Sequence, residues 1–277
     1  MIIIYMESNF RKYLPDTPVA NQYKAMRTNQ TMEFAQRLKT ENLDRLKNHG
    51  MKINVLDAID RLDTMIDRSD PDISLSNIHH LYQTAEALRR DGHADWLQLV
   101  GLIHDLGKIM FLFGNDEEGT SIRSQWAVVG DTYLLGCRLR NHVYPEFDAL
   151  CPDTDSRYST DLGIYEKGCG FDRCTITWGH DEYLYDTLLY NLEQGNVCRL
   201  PEPAYQIIRY HSFYPWHSDN EYGDLESDND RLNLPWIRLF NRYDLYTKEN
   251  QTMDVNELKK YYRDIVYKYF PNGYLIF

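Results

Sequence analysis

The segment LVGLIHDLGKIMFLFG, residues 99–114, constrains the fold of this chain more than any other. It is apolar almost throughout, so the element it forms belongs in the core. Yet His104, Asp105 and Lys108 stand in its middle. Burying an imidazole, a carboxylate and an ammonium together is costly unless they are paired or hold a metal. The rest of the chain therefore has to bring either ion-pair partners or further metal ligands to this one segment.

Hydrophobic periodicity elsewhere is mainly helical. Residues 18–48 carry Met26, Met32, Phe34 and Leu38 at mixed three- and four-residue steps, which predicts one long polar helix. Residues 54–67, NVLDAIDRLDTMID, predict an amphipathic helix ending at SDPD, where Pro71 restricts Asp70 to extended geometry. Further helices are expected over 77–90 and 95–111, the latter capped by Asp95, and over 180–194, 201–211, 235–247 and 254–268. Residues 114–175, rich in Gly, Asp, Pro, Tyr and Ser, read as an irregular excursion with at most a short hairpin. The expectation is an all-α, single helical domain spanning residues 1–277, with residues 1–17 as an N-terminal lid.

A chain of 277 residues with 43% hydrophobic residues has enough apolar side chain for a sizeable core. Its net charge of −12 speaks against a nucleic-acid partner, which would call for surplus Lys and Arg. No apolar run approaches the roughly 20 residues of a membrane helix, and MIIIYMESNF lacks the basic region of a signal peptide. The five cysteines form no CxxC pair, which suits reduced thiols in a cytoplasmic protein.

Four of the nine histidines share an apolar helical setting: His80 in HLYQTAEALRR, His104 with Asp105, His180 in HDEYLY and His211 at the end of AYQIIRYH. Asp244 lies in the aromatic-rich WIRLFNRYDLY. A lone core histidine is usually only hydrogen bonded, and an isolated His-Asp dipeptide specifies little. Four such histidines with two acids on helices of one domain point to a metal site, and imidazole with carboxylate suits iron, manganese or zinc better than magnesium. Consecutive helical residues diverge by about 100°, so His104 and Asp105 can feed neighbouring coordination positions or let the carboxylate bridge two ions. Lys108, four residues beyond His104, is expected on the same helix face. His79, His93, His142 and His217 read as surface or structural, and His49, before Gly50, as a helix C-terminal cation. In the acidic series Asp57, Asp60, Asp63 and Asp67, the first three read as a solvated face; Asp67, beside Arg68 and Ser69, is placed to turn into a cleft.

The order His80, His104-Asp105, Asp244 follows the pattern of the HD-domain superfamily, most of which are metal-dependent phosphohydrolases. The words around those residues, LVGLIHDLGK, QWAVVGDT, DPDISLSN, RYSTDLGIY, TWGHDEYLY, IRYHSFYPWH and FNRYDLYTK, resemble the myo-inositol oxygenase family more specifically, over nearly the whole chain. The resemblance implies an HD-type helical fold and a non-haem, mixed-valent di-iron centre. It also implies the oxidation of myo-inositol by dioxygen to D-glucuronate, the first step of inositol catabolism. It implies that His80, His104, Asp105 and Asp244 hold one iron, that His180 and His211 hold the other, and that Asp105 bridges them. It assigns Lys108 and Asp131 to catalysis, and Arg11, Asp67, Arg68, Ser69, Lys108, Gly130, Asp131, His211 and Ser212 to substrate contact. The protein is then expected to be a monomer whose partner is a small molecule, with no nucleic acid or membrane involved. Two departures from the family pattern stand out: NDEEGTSIRS, residues 115–124, is longer than expected, and Arg68 replaces an acidic residue in the substrate turn. An HD-type phosphohydrolase is the alternative.

Overall fold

Thr17 accepts a hydrogen bond from Ala20 N, and Pro18 follows at the first helical position, where its missing N–H is no loss. From there α1 (Pro18–Asn29) begins. In the computed structural model, which describes residues 14–70, 75–246 and 253–277, the expected 18–48 helix is broken after Asn29. The break has a partner. Gln30 donates through Nε2 to Trp178 O at 2.5 Å and accepts from Trp178 N at 3.0 Å, pairing with that backbone as a strand would. Thr31 then caps α2 (Met32–His49) by accepting from Phe34 N at 3.1 Å. The apolar spacing runs through the break, so periodicity alone could not find it.

The second expected helix is also shortened. α3 (Val55–Arg61) passes into one 3-10 turn, Leu62–Thr64, where the Thr64 hydroxyl donates to Arg61 O, and Met65 is extended. Residues 65–70 are therefore loop, which frees Asp67 from the solvated helix face. α4 (Asn77–Arg90) forms as expected, and α5 (Asp95–Ile103) stops short of residue 111. Asp95 is not the cap of α5: that position belongs to Ala94, and the Asp95 carboxylate instead accepts from Tyr269 Oη at 2.8 Å and pairs with Lys268. An acid in the first helical turn still suits the helix dipole.

The middle of the chain, 114–175, contains no α-helix. Its regular pieces are 3-10 turns at Pro145–Leu150, Ser156–Ser159 and Phe171–Arg173, and a single bridge between Leu134 and Ile176 takes the place of a hairpin. Helices resume with α6 (His180–Glu193), α7 (Glu202–Tyr210), the short α8 (Tyr214–His217), α9 (Asp228–Tyr246) and α10 (Val255–Tyr269). α9 starts before the expected residue 235. Pro235 lies inside the helix rather than opening it, and Asp228 and Asp230 supply the acidic first turn.

One small sheet was absent from the sequence reading. β1 (Lys52–Asn54) pairs antiparallel with β2 (Tyr274–Ile276) in the register Lys52 with Ile276, Ile53 with Leu275 and Asn54 with Tyr274. Asn191 of α6 holds the strand's outer edge, donating to Ile276 O and accepting from Ile276 N, each at 2.8 Å. The fold is otherwise all-α. α6 and α3 pack on Leu106–Leu112, and α5, which leads into it, is packed by α4 and α7 with α9 against both, so the most apolar segment lies where the helices meet. Among the described residues, no helix is long and apolar enough to cross a membrane.

A candidate metal centre around the His-Asp turn

His104 keeps helical backbone angles at the end of α5, but Asp105 has φ −91° and ψ 1°, and the chain continues as a 3-10 helix over Leu106–Leu112. This change of helix type settles what Lys108 faces. With three residues per turn, positions three apart eclipse, and Lys108 Nζ donates to Asp105 Oδ2 at 2.7 Å. The expectation that Lys108 shares a continuous α-helical face with His104 is corrected accordingly. Gly107 makes the approach possible: a Cβ there would stand 1.9 Å from His180 O. Without that atom, the 3-10 segment packs directly onto the first turn of α6.

The six expected ligands converge in two groups. In the first, His80 Nε2 lies 3.2 Å from His104 Nε2 and 2.8 Å from Asp244 Oδ1, and His104 Nε2 lies 3.3 Å from the same oxygen. Asp105 Oδ2 completes this group, 3.9 Å from His80 Nε2 and 3.7 Å from His104 Nε2. In the second, His180 Nε2 and His211 Nε2 are 3.1 Å apart, with Asp105 Oδ1 at 3.1 Å and 3.7 Å from them. Asp105 thus turns one oxygen toward each group. Ligands about 2.1 Å from an ion at right angles to each other sit about 3 Å apart, so these spacings fit metal coordination.

The tautomers support the same fit. His104 Nδ1 donates to Gly101 O, His180 Nδ1 to Val128 O and His211 Nδ1 to Ile208 O, at 2.9, 2.7 and 3.0 Å. These backbone carbonyls only accept, so each imidazole carries its proton on Nδ1 and presents a bare lone pair at Nε2. Lone pairs and carboxylate oxygens aimed at one another in the core repel unless a cation lies between them. All six residues are buried. His80 differs, because its Nδ1 has no hydrogen-bond partner among the described residues. Asp181 also lies near His180 and His211. Its Oδ2 accepts from Thr132 Oγ1 at 2.8 Å and its Oδ1 is 3.6 Å from His180 Nδ1, the far side of that ring, so Asp105 is the better placed acid.

Lys108 uses all three of its N–H donors, to Asp105 Oδ2 and Asp67 Oδ2 at 2.7 Å each and to Asn77 Oδ1 at 3.0 Å. Burial works against its charge, but Asp105 and Asp67 outweigh that and push its pKa above the ordinary lysine value. Burial likewise opposes ionisation of Asp105, and Lys108 and His104 nonetheless hold its carboxyl well below the usual range. Lys108 is therefore a fixed cation and donor. Asp67 also accepts from Ser69 N and Ser69 Oγ, at 2.8 and 2.6 Å, closing a tight turn beside the ammonium.

Gly130 has φ +113°, and a Cβ on it would meet Met26 Sδ at 2.5 Å and Ser69 Cβ at 3.9 Å, so the Gly130–Asp131 backbone and the Asp67 turn are neighbours. Asp131 Oδ1 accepts from Tyr23 Oη at 2.8 Å, and Thr132 N donates to Ser212 O at 2.9 Å, next to His211. Arg68 is exposed; its guanidinium donates to Arg123 O at 2.6 Å, away from the lysine cluster. Arg11 lies outside the described residues, as does most of the expected lid.

Asn77, Asp181 and Glu182 are residues of this site that no motif in the sequence marks out. The Asn77 amide orientation follows from Lys108, which can only donate. Glu182 of α6 is buried and takes Arg209 of α7 in a two-pronged pair, Nε to Oε2 at 2.7 Å and Nη2 to Oε1 at 3.1 Å. Such a pair has no local sequence signal. Asp186, on the same helix, is pushed up to about 6 by burial and by the Glu182 charge, with Lys39 pulling the other way from 3.3 Å. A carboxyl raised above its unfolded value of 3.8 adds stability only below that value, and the contribution is lost as pH rises through about 6. Asp186→Asn should thus raise the melting midpoint near pH 7.5, by at most about 3 kcal/mol in stability, and the gain should vanish near pH 4. A gain that is equal at both pH values would contradict an ionised, strained Asp186.

Comparison with known proteins adds to this geometry. The model of the family described as myo-inositol oxygenase matches residues 16–277. The chain is 42% identical over 257 residues to the inositol oxygenase of Danio rerio, covering 91% of this chain and 87% of that protein. It is 41% identical over 277 residues to that of Homo sapiens, covering 96% and 90%. The inositol oxygenase of Dictyostelium discoideum is 40% identical over 271 residues, covering 95% and 88%.

Proposed function

From the premise that this chain belongs to the myo-inositol oxygenase family, we propose how its residues divide the work of oxidising myo-inositol. The enzyme is an inositol oxygenase. In the reading proposed, one dioxygen and one myo-inositol give D-glucuronate, water and a proton, with a ring carbon–carbon bond broken and four electrons passing to oxygen. His80, His104, Asp105 and Asp244 hold one iron, and Asp105, His180 and His211 hold the other. The observation that carries this reading is the Asp105 carboxylate, with one oxygen directed at each histidine group.

Bound iron supplies the redox chemistry toward dioxygen and lowers the pKa of a substrate hydroxyl. The protein's own groups do the rest. Myo-inositol is neutral and ringed with hydroxyls, so recognition needs fixed donors and acceptors rather than a charge clamp. Lys108 keeps its proton on Nζ and stabilises an oxygen that becomes negative. Asp67 and Asn77 hold that ammonium in place. The Asp131 carboxylate accepts from a substrate hydroxyl, and the Gly130 backbone, Ser69 and Ser212 line the same approach. The group that has fewer protein ligands, His180 and His211, leaves room for substrate oxygens. The reading includes a cytoplasmic monomer; the five unpaired cysteines fit a reducing compartment.

The test is direct. Protein reconstituted with Fe(II) and given myo-inositol with a mild reductant such as cysteine should consume dioxygen and form D-glucuronate in equal amount. Phosphate release from a nucleotide, with no dioxygen uptake on myo-inositol, would replace this reading with the HD-type phosphohydrolase.

A further inference from the structure

Gln125 is a buried side chain with no part in the ligand or substrate set described above, and its amide makes three hydrogen bonds to the backbone of two segments. Its Oε1 accepts from Arg68 N at 3.1 Å, and its Nε2 donates to Ile66 O at 3.2 Å and to Ile122 O at 3.0 Å. The amide orientation is unambiguous, because a backbone N–H only donates and a carbonyl only accepts. The side chain therefore grips the Asp67 turn on both sides, at residues 66 and 68. The loop beyond it adds one more link, from the Arg68 guanidinium to Arg123 O at 2.6 Å. The main chain of Gln125 serves another part of the site. Its carbonyl accepts from Val128 N and Val129 N, at 2.8 and 3.1 Å, closing the turn that leads into Gly130–Asp131. Val128 O, in that turn, accepts from His180 Nδ1 at 2.7 Å.

We propose that Gln125 is a positioning residue for substrate recognition: its amide holds the Asp67 turn, and so the Asp67–Lys108 pair, in register with the Gly130–Asp131 segment. The argument rests on the assignment of Lys108, Asp67 and Asp131 to substrate contact made above. Asp67 reaches Lys108 from a loop, and a loop carboxylate holds an ammonium at 2.7 Å only while its own backbone is fixed. Two sets of bonds among the described residues tie that turn down. Ser69 closes it from within, and Gln125 joins it to a different part of the chain. The metal ligands do not depend on the Gln125 side chain, because the bonds to Val128 and Val129 come from its backbone carbonyl.

This separation defines the experiment. Gln125→Met removes all three amide bonds at nearly constant volume. Gln125→Asn keeps the amide on a stem one carbon shorter and serves if the methionine variant does not fold. In either folded variant the KM for myo-inositol should rise roughly tenfold to a hundredfold, the range expected when a substrate contact is displaced by about an ångström. The kcat should fall less than the KM rises, and the iron content should stay that of the unaltered protein. Hydrogen exchange gives a readout independent of turnover. The Arg68 amide should exchange slowly in the unaltered protein and much faster in the variants, with the amides of α4 unchanged. Fast exchange of Arg68 in the unaltered protein would overturn the inference without any variant. So would a folded variant with unchanged KM, or one that loses iron and turnover together. Failure of the unaltered, iron-loaded protein to oxidise myo-inositol sinks the functional reading instead, and the two failures are thereby told apart.

Discussion

Asp105→Ala should cost the protein the metal ion proposed at His180 and His211 and weaken its hold on the one proposed at His80, His104 and Asp244. Each oxygen of Asp105 faces a different histidine group, so one substitution removes a ligand from both. The second group then keeps only His180 and His211, and two neutral imidazoles are too few to hold a divalent ion against water. The first keeps His80, His104 and Asp244 and should retain metal more weakly. Turnover should fall by about a thousandfold or more, since the several kcal/mol that metal ions contribute to the transition state are lost. Metal analysis after dialysis checks the binding directly. Two irons still bound per chain would show that Asp105 does not bridge. Asp105→Asn sharpens the test, because its single carbonyl oxygen can serve only one group and should leave the occupancies unequal.

Lys108→Met should do the opposite, keeping both irons and losing most of the turnover. Lys108 has no lone pair to offer a metal while protonated, and the Asp67 and Asp105 carboxylates keep it protonated against the cost of burial. Its loss should lower kcat by about a hundredfold to a thousandfold, the scale seen when one charge-stabilising donor is removed from a closed site. Stability also responds, with a sign that can be stated. Burial opposes ionisation of Asp67, and Lys108 overcomes it, leaving the Asp67 pKa lowered. A depressed carboxyl contributes stability above its unfolded value and loses it as pH falls through its folded value. Metal-free Lys108→Met should therefore be destabilised most near neutral pH, by about 3–5 kcal/mol as for a broken buried pair, and least in acid. A melting difference that grows in acid would mean that Lys108 does not stabilise the Asp67 charge, and normal turnover would remove Lys108 from the reaction.

Much of the site was legible because ligand chemistry is local. His80, His104, Asp105, His180, His211 and Asp244 each stand in an apolar helical context where an unpaired polar group is unfavourable, and all six meet in the core. Helix starts were legible where a side chain announces them, as Thr17 and Pro18 do. The break at Gln30 and the end of α5, where Gly107 packs on His180, were decided by partners remote in sequence, whereas α3 ends locally, on the Thr64 hydroxyl. Gln30 finds the Trp178 backbone 148 residues away, and the apolar spacing on either side of it shows no interruption. Asp95 is called to Tyr269 rather than to a cap, for the same reason.

Residue identity alone sets which groups are available to a metal and to a polyol. It also determined that the LVGLIHDLGK segment must be buried, since its apolar side chains allow nothing else. How those groups divide is a matter of contacts between distant elements. The turn from α-helix to 3-10 helix at Asp105 aims its two oxygens at separate histidine groups and stacks Lys108 on Asp105 instead of His104. That turn depends on the packing of Gly107 against His180, and the first group closes only because His80 meets Asp244 across 164 residues. Residue identity is written along the chain, whereas the angle at which a carboxylate meets two histidine groups is set by contacts between helices that the chain's local order does not encode.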